Sequence, residues 1–185
     1  MIYFTSDLHF CHNKPFLYEP RGFTNIEDMN AAIVKNWNNK VSDEDEVYVL
    51  GDLMLVDNVK GVELLQSLKG KIHVILGNHD TNTRIEIYKN LPNVVEVVYA
   101  TTLKWNNYRF YLSHYPTITS NFHENQKKLK YRIINLYGHT HQKGNFYDLT
   151  ISPCIYHVGV DSHNCAPVSI EEIIEEISQY ICVAV

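Results

Sequence analysis

Short runs of β-branched and aromatic residues, bounded by polar or turn-forming residues, recur along the chain. They fall at Ile2 to Thr5, Glu46 to Leu50, Lys71 to Leu76, Val94 to Tyr99, Arg109 to Ser113, Arg132 to Tyr137 and Ile155 to Val160, and each reads as a strand. Helical spacing separates several of them. From Ile26, apolar residues at Met29, Ile33 and Trp37 line one face of a helix, and Thr24 with Glu27 has the form of a capping box at its start. Ser169 and Glu172 repeat that signal ahead of Ile170, Ile173, Ile174 and Ile177, which predicts a final amphipathic helix. Asn58 to Leu68, which contains Gly61, and Thr83 to Leu91 predict two shorter helices. Strands and helices alternate in the first half, whereas the second half is mostly strands joined by turns such as Trp105-Asn106-Asn107-Tyr108. The expected class is α/β with an α+β-like end: a mixed sheet, or a pair of packed sheets, with flanking helices.

The 185 residues, 45% of them hydrophobic, suffice for one substantial core and are few for two, so a single domain over residues 1–185 is expected. Charged residues make up 20% and are dispersed, with no linker-like stretch and no internal repeat. The longest apolar runs, such as Val47 to Leu50, fall far short of the roughly 20 residues that span a bilayer. The opening Met-Ile-Tyr-Phe-Thr-Ser-Asp lacks the basic and apolar segments of a signal peptide, so a cytoplasmic protein without membrane attachment is expected. Cys11, Cys154, Cys165 and Cys182 show no C-x-x-C pairing and read as small buried hydrophobes. A net charge of −5 argues against extended nucleic acid as a partner, and the local cluster Lys127, Lys128, Lys130 and Arg132 reads as a solvated surface.

Chemistry concentrates where strands end. The segments Asp7-Leu8-His9, Gly51-Asp52, Gly77-Asn78-His79-Asp80, Ser113-His114 and Gly138-His139-Thr140-His141 each follow a predicted strand. Ligands of open α/β sheets bind beyond the carboxyl ends of strands, so these tips are able to meet in one place. Glycines directly before the polar groups permit sharp turns and close backbone approach. Residues two apart on an extended segment project to the same side, which would pair Asp7 with His9 and His139 with His141. Carboxylate, imidazole and amide donors without a thiolate suit Mn²⁺, Fe, Zn²⁺ or Ni²⁺, with Mn²⁺ preferred here. Each string alone is also compatible with an ordinary loop; their joint occurrence, in order, argues against that.

These motifs resemble those of the calcineurin-like metallophosphoesterase superfamily, D-x-H, G-D, G-N-H-D/E, H and G-H-x-H, through nearly the whole chain. Small bacterial and phage members also share the Asn36-Trp37-Asn38 and Gly159-Val160-Asp161 segments. The resemblance implies a double β-sandwich of mixed sheets flanked by helices. It implies two divalent transition-metal ions, one held by Asp7, His9 and His141, the other by Asn78, His114 and His139, with Asp52 bridging them. His79 would stand over the substrate and Asp80 would orient it. Ser6 before Asp7 departs from the glycine of many members and removes no ligand.

Two such ions roughly 3.5–4 Å apart would hold a bridging hydroxide for in-line attack on phosphorus, and His79 would assist the leaving oxygen. The expected partner is a small phosphoester, nucleotides included, and a phosphodiester more than a monoester. Outside the motifs, His12 and Asn13 face a substrate or sit on a solvated loop. Arg21 contacts phosphate or lies on the surface, and His163 is a further substrate candidate; His73 and His157 read as core histidines. Residues 115–130 are the expected specificity loop. A nuclease with the same centre and a non-catalytic scaffold on the same fold are the alternatives.

Overall fold

The computed structural model describes residues 1–119 and 132–181. A first sheet has the strand order β10-β1-β2-β3-β4, made of β1 (Ile2–Thr5), β2 (Glu46–Leu50), β3 (Lys71–Ile75), β4 (Val94–Val98) and β10 (Val168–Ser169). All its pairs are parallel except β10 against β1. A second sheet runs β5-β6-β7-β9-β8, from β5 (Ala100–Trp105), β6 (Tyr108–Ser113), β7 (Ile133–Tyr137), β8 (Phe146–Asp148) and β9 (Ser152–His157). Here β6, β7 and β9 are parallel and the two edge pairs antiparallel.

Two apolar layers hold this arrangement. Phe4, Leu50 and Ile75 of the first sheet meet Phe110, Leu112, Ile134, Leu136 and Tyr156 of the second, with the Phe4 and Phe110 rings 6.2 Å apart. The other face of the first sheet, through Val47, Val49, Ile72 and Val74, packs on α2 (Ile26–Lys40), α3 (Asn58–Gln66) and α4 (Asn82–Lys89). The central strand β2 and the inner part of β3 are covered on both faces, which explains their nearly continuous apolar sequences. The expected sandwich of mixed sheets with flanking helices is therefore the observed architecture.

Side-chain caps open α2, α3 and the C-terminal helix. Ser169 and Glu172 form the expected box ahead of α5 (Ile170–Ile181): the Glu172 N–H donates to Ser169 Oγ at 3.2 Å, and the Ser169 N–H donates to Glu172 Oε2 at 2.7 Å. For α2 the cap is Asn25, whose side chain accepts the Asp28 N–H at 2.8 Å, so the expected Thr24–Glu27 box is displaced by one residue. Both polar types cap well, and the sequence pattern alone does not choose between adjacent ones. The expected strand Ile155 to Val160 starts and ends earlier, while β5, β8, β10 and the single-turn α1 (Pro15–Tyr18) carry no strong period. Asn106 closes the β5–β6 hairpin at φ 51°, a conformation that asparagine tolerates.

Cys11, Cys154 and Cys165 are buried and free, as expected. Arg132, counted in the basic cluster, is instead 1% exposed and donates to Cys154 Sγ, so it forms no part of a surface patch; Lys127, Lys128 and Lys130, Cys182 and most of the expected specificity loop lie outside the described residues. Among the described residues no helix is long and apolar enough to cross a membrane.

His157, fully buried in β9, pairs through Nδ1 with Ser162 Oγ at 2.8 Å. Burial, reinforced by the charge of His163, lowers its pKa to about 3. The unfolded chain therefore binds a proton near pH 6.5 that the folded chain refuses, and stability is lost as pH falls from there toward 3. Urea unfolding should show this as a loss of at most about 1.4 kcal/mol per pH unit, and His157→Gln should flatten that slope. An unchanged slope in the variant would contradict the assignment.

Candidate metal centre

The polar strings lie just past β1, β2, β3, β6 and β7, and cross-loop bonds draw them together. The Asp7 and His9 N–H groups donate to the carbonyls of Gly51 and Asp52, each at 3.0 Å. The Gly138 N–H donates to the His114 carbonyl at 3.0 Å, and the His139 N–H to Asp7 Oδ2 at 2.9 Å, which joins the two sheets at the site. Asp7, His9, Asp52, His139 and His141 all have positive φ, between 49° and 69°. This corrects the expectation that Asp7/His9 and His139/His141 pair by extended geometry. Isolated left-handed residues turn them to one side, a strained backbone of the kind found at functional sites. The glycines fit the same crowding: a Cβ on Gly51, at φ +94°, would collide with the His114 ring, and one on Gly138 with Ser6 Oγ.

The side chains gather into two donor groups. In the first, His9 Nε2 faces His141 Nε2 at 3.2 Å, and each lies 3.8 Å from Asp7 Oδ1. In the second, Asn78 Oδ1 is 2.9 Å from both His114 Nε2 and His139 Nδ1. Asp52 Oδ2 stands between them, 3.7 Å from His9 Nε2 and 3.6 Å from His114 Nε2. Ring orientation is set from behind. The Leu50 carbonyl accepts His114 Nδ1–H at 2.8 Å, and Asp161 Oδ2 lies 2.9 Å from His141 Nδ1, so both Nε2 lone pairs point inward.

Electrostatics tests whether a cation fits. Asp7 is fully buried; its Oδ2 accepts from Ser6 Oγ and the His139 N–H, while Oδ1 has no hydrogen-bond partner among the described residues and faces His9 and His141. Burial raises the pKa of Asp52, with the charges of Asp7 and Asp80 adding to it against the opposing pull of His114. Burial drives His9 far below the usual imidazole range, helped by the charges of His141 and Arg21, and lowers His139 likewise. His141 alone is raised, its burial outweighed by the carboxylates of Asp161 and Asp7. Buried carboxylates beside imidazoles that burial disfavours as cations form an oxygen- and nitrogen-rich set that bound divalent cations would neutralise. The residues present therefore fit the metal-binding role.

Residues 1–154 match the family model for the calcineurin-like phosphoesterase superfamily domain. The chain belongs to the calcineurin-like phosphoesterase superfamily. It is 35% identical to an uncharacterized protein of Methanocaldococcus jannaschii, over 96% of this chain and 92% of that one. It is 27% identical to the gene 66 protein of Mycobacterium phage D29, over 96% and 98%. A solved protein of unknown function from Aquifex aeolicus shares the fold at TM-score 0.69 and 23% identity, over 95% and 98%. Superfamily members use divalent metal ions, and Asp7, His9, Asp52 and His114 are among the groups this phosphoesterase offers for them.

Other expected site residues fall differently. His79 is half-buried on the cleft, its ring 5.5 Å from that of His9. Asp80 does not orient it. Its Oδ2 accepts from the Gly77 and Asp52 N–H groups and its Oδ1 from Tyr88 Oη, so it ties two loops together and, among the described residues, leaves the His79 ring unbonded. The backbone of His79 is held instead: its N–H donates to Asp52 Oδ1 at 2.9 Å and its carbonyl accepts from Arg84 at 2.7 Å. His12 does line the cleft, whereas Asn13 is exposed outside it. Arg21 neither meets the cleft nor lies on the surface. Its side chain is fully buried and bonded in a fork to Asp161, at 2.9 and 2.8 Å. His163 turns away as well, toward the His157 carbonyl at 2.9 Å. Asp161, Tyr88, Arg84 and Phe16 were not foreseen; only the Gly159-Val160-Asp161 string hinted at the first.

Gly51→Ala should test this crowding. The added methyl meets His114 in a backbone conformation unfavourable for alanine, so urea unfolding should show a loss of at least about 1 kcal/mol, together with weaker Mn²⁺ uptake. Wild-type stability and uptake would contradict the described packing.

Proposed function

We propose that the protein is a dinuclear-metal phosphodiesterase that hydrolyses small phosphodiesters, nucleotides among them. The observation that carries this reading is the position of Asp52 Oδ2, within 3.7 Å of both donor groups, as a bridging carboxylate requires. Asp7, His9 and His141 would hold one ion and Asn78, His114 and His139 the other. The mixed carboxylate, amide and imidazole donors are compatible with Mn²⁺, which we take as the working metal, and with Fe, Zn²⁺ or Ni²⁺. When bound, such ions polarise the phosphoryl group and lower the pKa of water.

The chain's own residues supply the rest. His79 overlooks the cleft from a backbone fixed at both its N–H and its carbonyl, so its imidazole is suited to protonating a leaving oxygen or to donating to the phosphoryl oxygens. His12 and Phe16 line the same cleft of about 430 Å³, with rings 5.8 Å apart edge to face. They offer an aromatic wall beside the donor groups, suited to a planar leaving group or base.

The test is Mn²⁺-loaded protein with bis-p-nitrophenyl phosphate against p-nitrophenyl phosphate. The diester should show the higher kcat/KM by about tenfold or more; monoester preference would overturn the substrate reading, and no turnover with any of the four metals would overturn the reaction. His79→Ala should lose about 10²-fold or more in kcat while retaining its metal content. Loss of metal in that variant would make His79 a ligand.

A further inference from the structure

Arg21 lies in a tight segment after α1, where the Gly22 N–H donates to the Glu19 carbonyl at 2.9 Å and the Phe23 N–H to the Tyr18 carbonyl at 3.0 Å. From there its buried guanidinium reaches three distant pieces of chain. Nε and one terminal nitrogen form the fork to Asp161. That same nitrogen donates to the Asp7 carbonyl at 2.9 Å, and the other reaches the Leu8 carbonyl at 3.4 Å, so the left-handed loop carrying Asp7 is held from below. Asp161 then accepts from His141 Nδ1. Its own segment is fastened to the same loop, since the Val160 N–H donates to the Ser6 carbonyl at 3.2 Å.

The two donor groups therefore depend on different supports. His114 is oriented by a backbone carbonyl, that of Leu50, and is itself buried. His141 sits on an irregular loop with its side chain 36% exposed; its Nδ1–H donates to Asp161 Oδ2, and an Arg21 guanidinium nitrogen packs 3.3 Å from the same ring nitrogen. A carboxylate behind an imidazole fixes its tautomer and ring plane, and here a buried arginine in turn fixes the carboxylate.

We propose that Arg21 and Asp161 are positioning residues that hold His141 with Nδ1–H toward Asp161 and Nε2 toward Asp7 and His9, and so set the affinity of that one metal position. The inference rests on the reading of Asp7, His9 and His141 as a metal-binding group. Lysine in place of Arg21 keeps a charge beside Asp161 but cannot make the planar fork. Asparagine in place of Asp161 turns an amide NH₂ against a donor N–H and breaks part of the network.

Calorimetric titration of the metal-free full-length protein with Mn²⁺ tests this. Wild type should bind two ions. Arg21→Met and Asp161→Asn should each weaken one of them by about 10–100-fold and leave the other within about twofold. Arg21→Lys should recover part of the loss, and it keeps the test open where Arg21→Met does not fold. Long-range ¹H–¹⁵N correlation of the metal-free protein should show His141 protonated on Nδ1 in wild type and lose that preference in Asp161→Asn. Equal weakening of both ions, no weakening, or an unaltered His141 tautomer would overturn the proposal. Should wild type bind no metal, the metal-binding reading fails, while the ring spectrum still decides whether Arg21 and Asp161 position His141.

Discussion

Asp7 and Asp52 are carboxylates removed from water, 0% and 1% exposed, and the same burial holds His9 and His139 beside them below the usual imidazole range. A buried carboxylate without a compensating cation is costly, and here its cost is concentrated at one point between two sheets. Asp7 Oδ1 faces two ring nitrogens and finds no hydrogen-bond partner among the described residues, and Asp52 Oδ2 is shared between two donor groups. Most other features of the site are arrangements that keep these two oxygens in place. The Ser6 hydroxyl and the His139 N–H occupy the second oxygen of Asp7, and the His79 N–H occupies that of Asp52, so one oxygen of each is left free toward the donor groups.

That concentration is made possible by the sheets. The parallel strands β1, β2 and β3 end side by side, and β6 and β7 end opposite them, so loops from distant parts of the chain leave the core at one edge. The loops pay for their tight turns in left-handed conformations, at Asp7, His9, Asp52, His139 and His141, that none of these side chains prefers. Cross-loop backbone bonds and the carboxylate of Asp80 hold those turns against relaxation. Arg21 and Asp161 do the same for the loop of Asp7 and for the His141 ring.

Much of this was legible in the sequence because it is written in local signals. Strand-length apolar runs, glycines before polar strings and the Ser169–Glu172 box depend on neighbours a few residues away, and the structure places them much as they read. The misreadings of side-chain partners are mostly of non-local origin. Asp80 sits next to His79 in sequence, yet its partners are Tyr88 and the N–H of Asp52, 28 residues earlier. Arg21 reads as a surface or phosphate-binding residue until its carboxylate partner, 140 residues away, is known. Arg132 likewise loses its place in a basic cluster once the sheet buries it. The pairing of Asp7 with His9 was foreseen for the wrong reason, since a period of two in an extended strand and two separated left-handed residues give similar side-chain directions.

Anomalous diffraction from crystals grown with Mn²⁺ tests the central claim most directly. The account predicts two peaks about 3.5–4 Å apart, one on either side of Asp52 Oδ2, with Asp7, His9 and His141 around one and Asn78, His114 and His139 around the other. A single peak, or two that do not share Asp52, would contradict it.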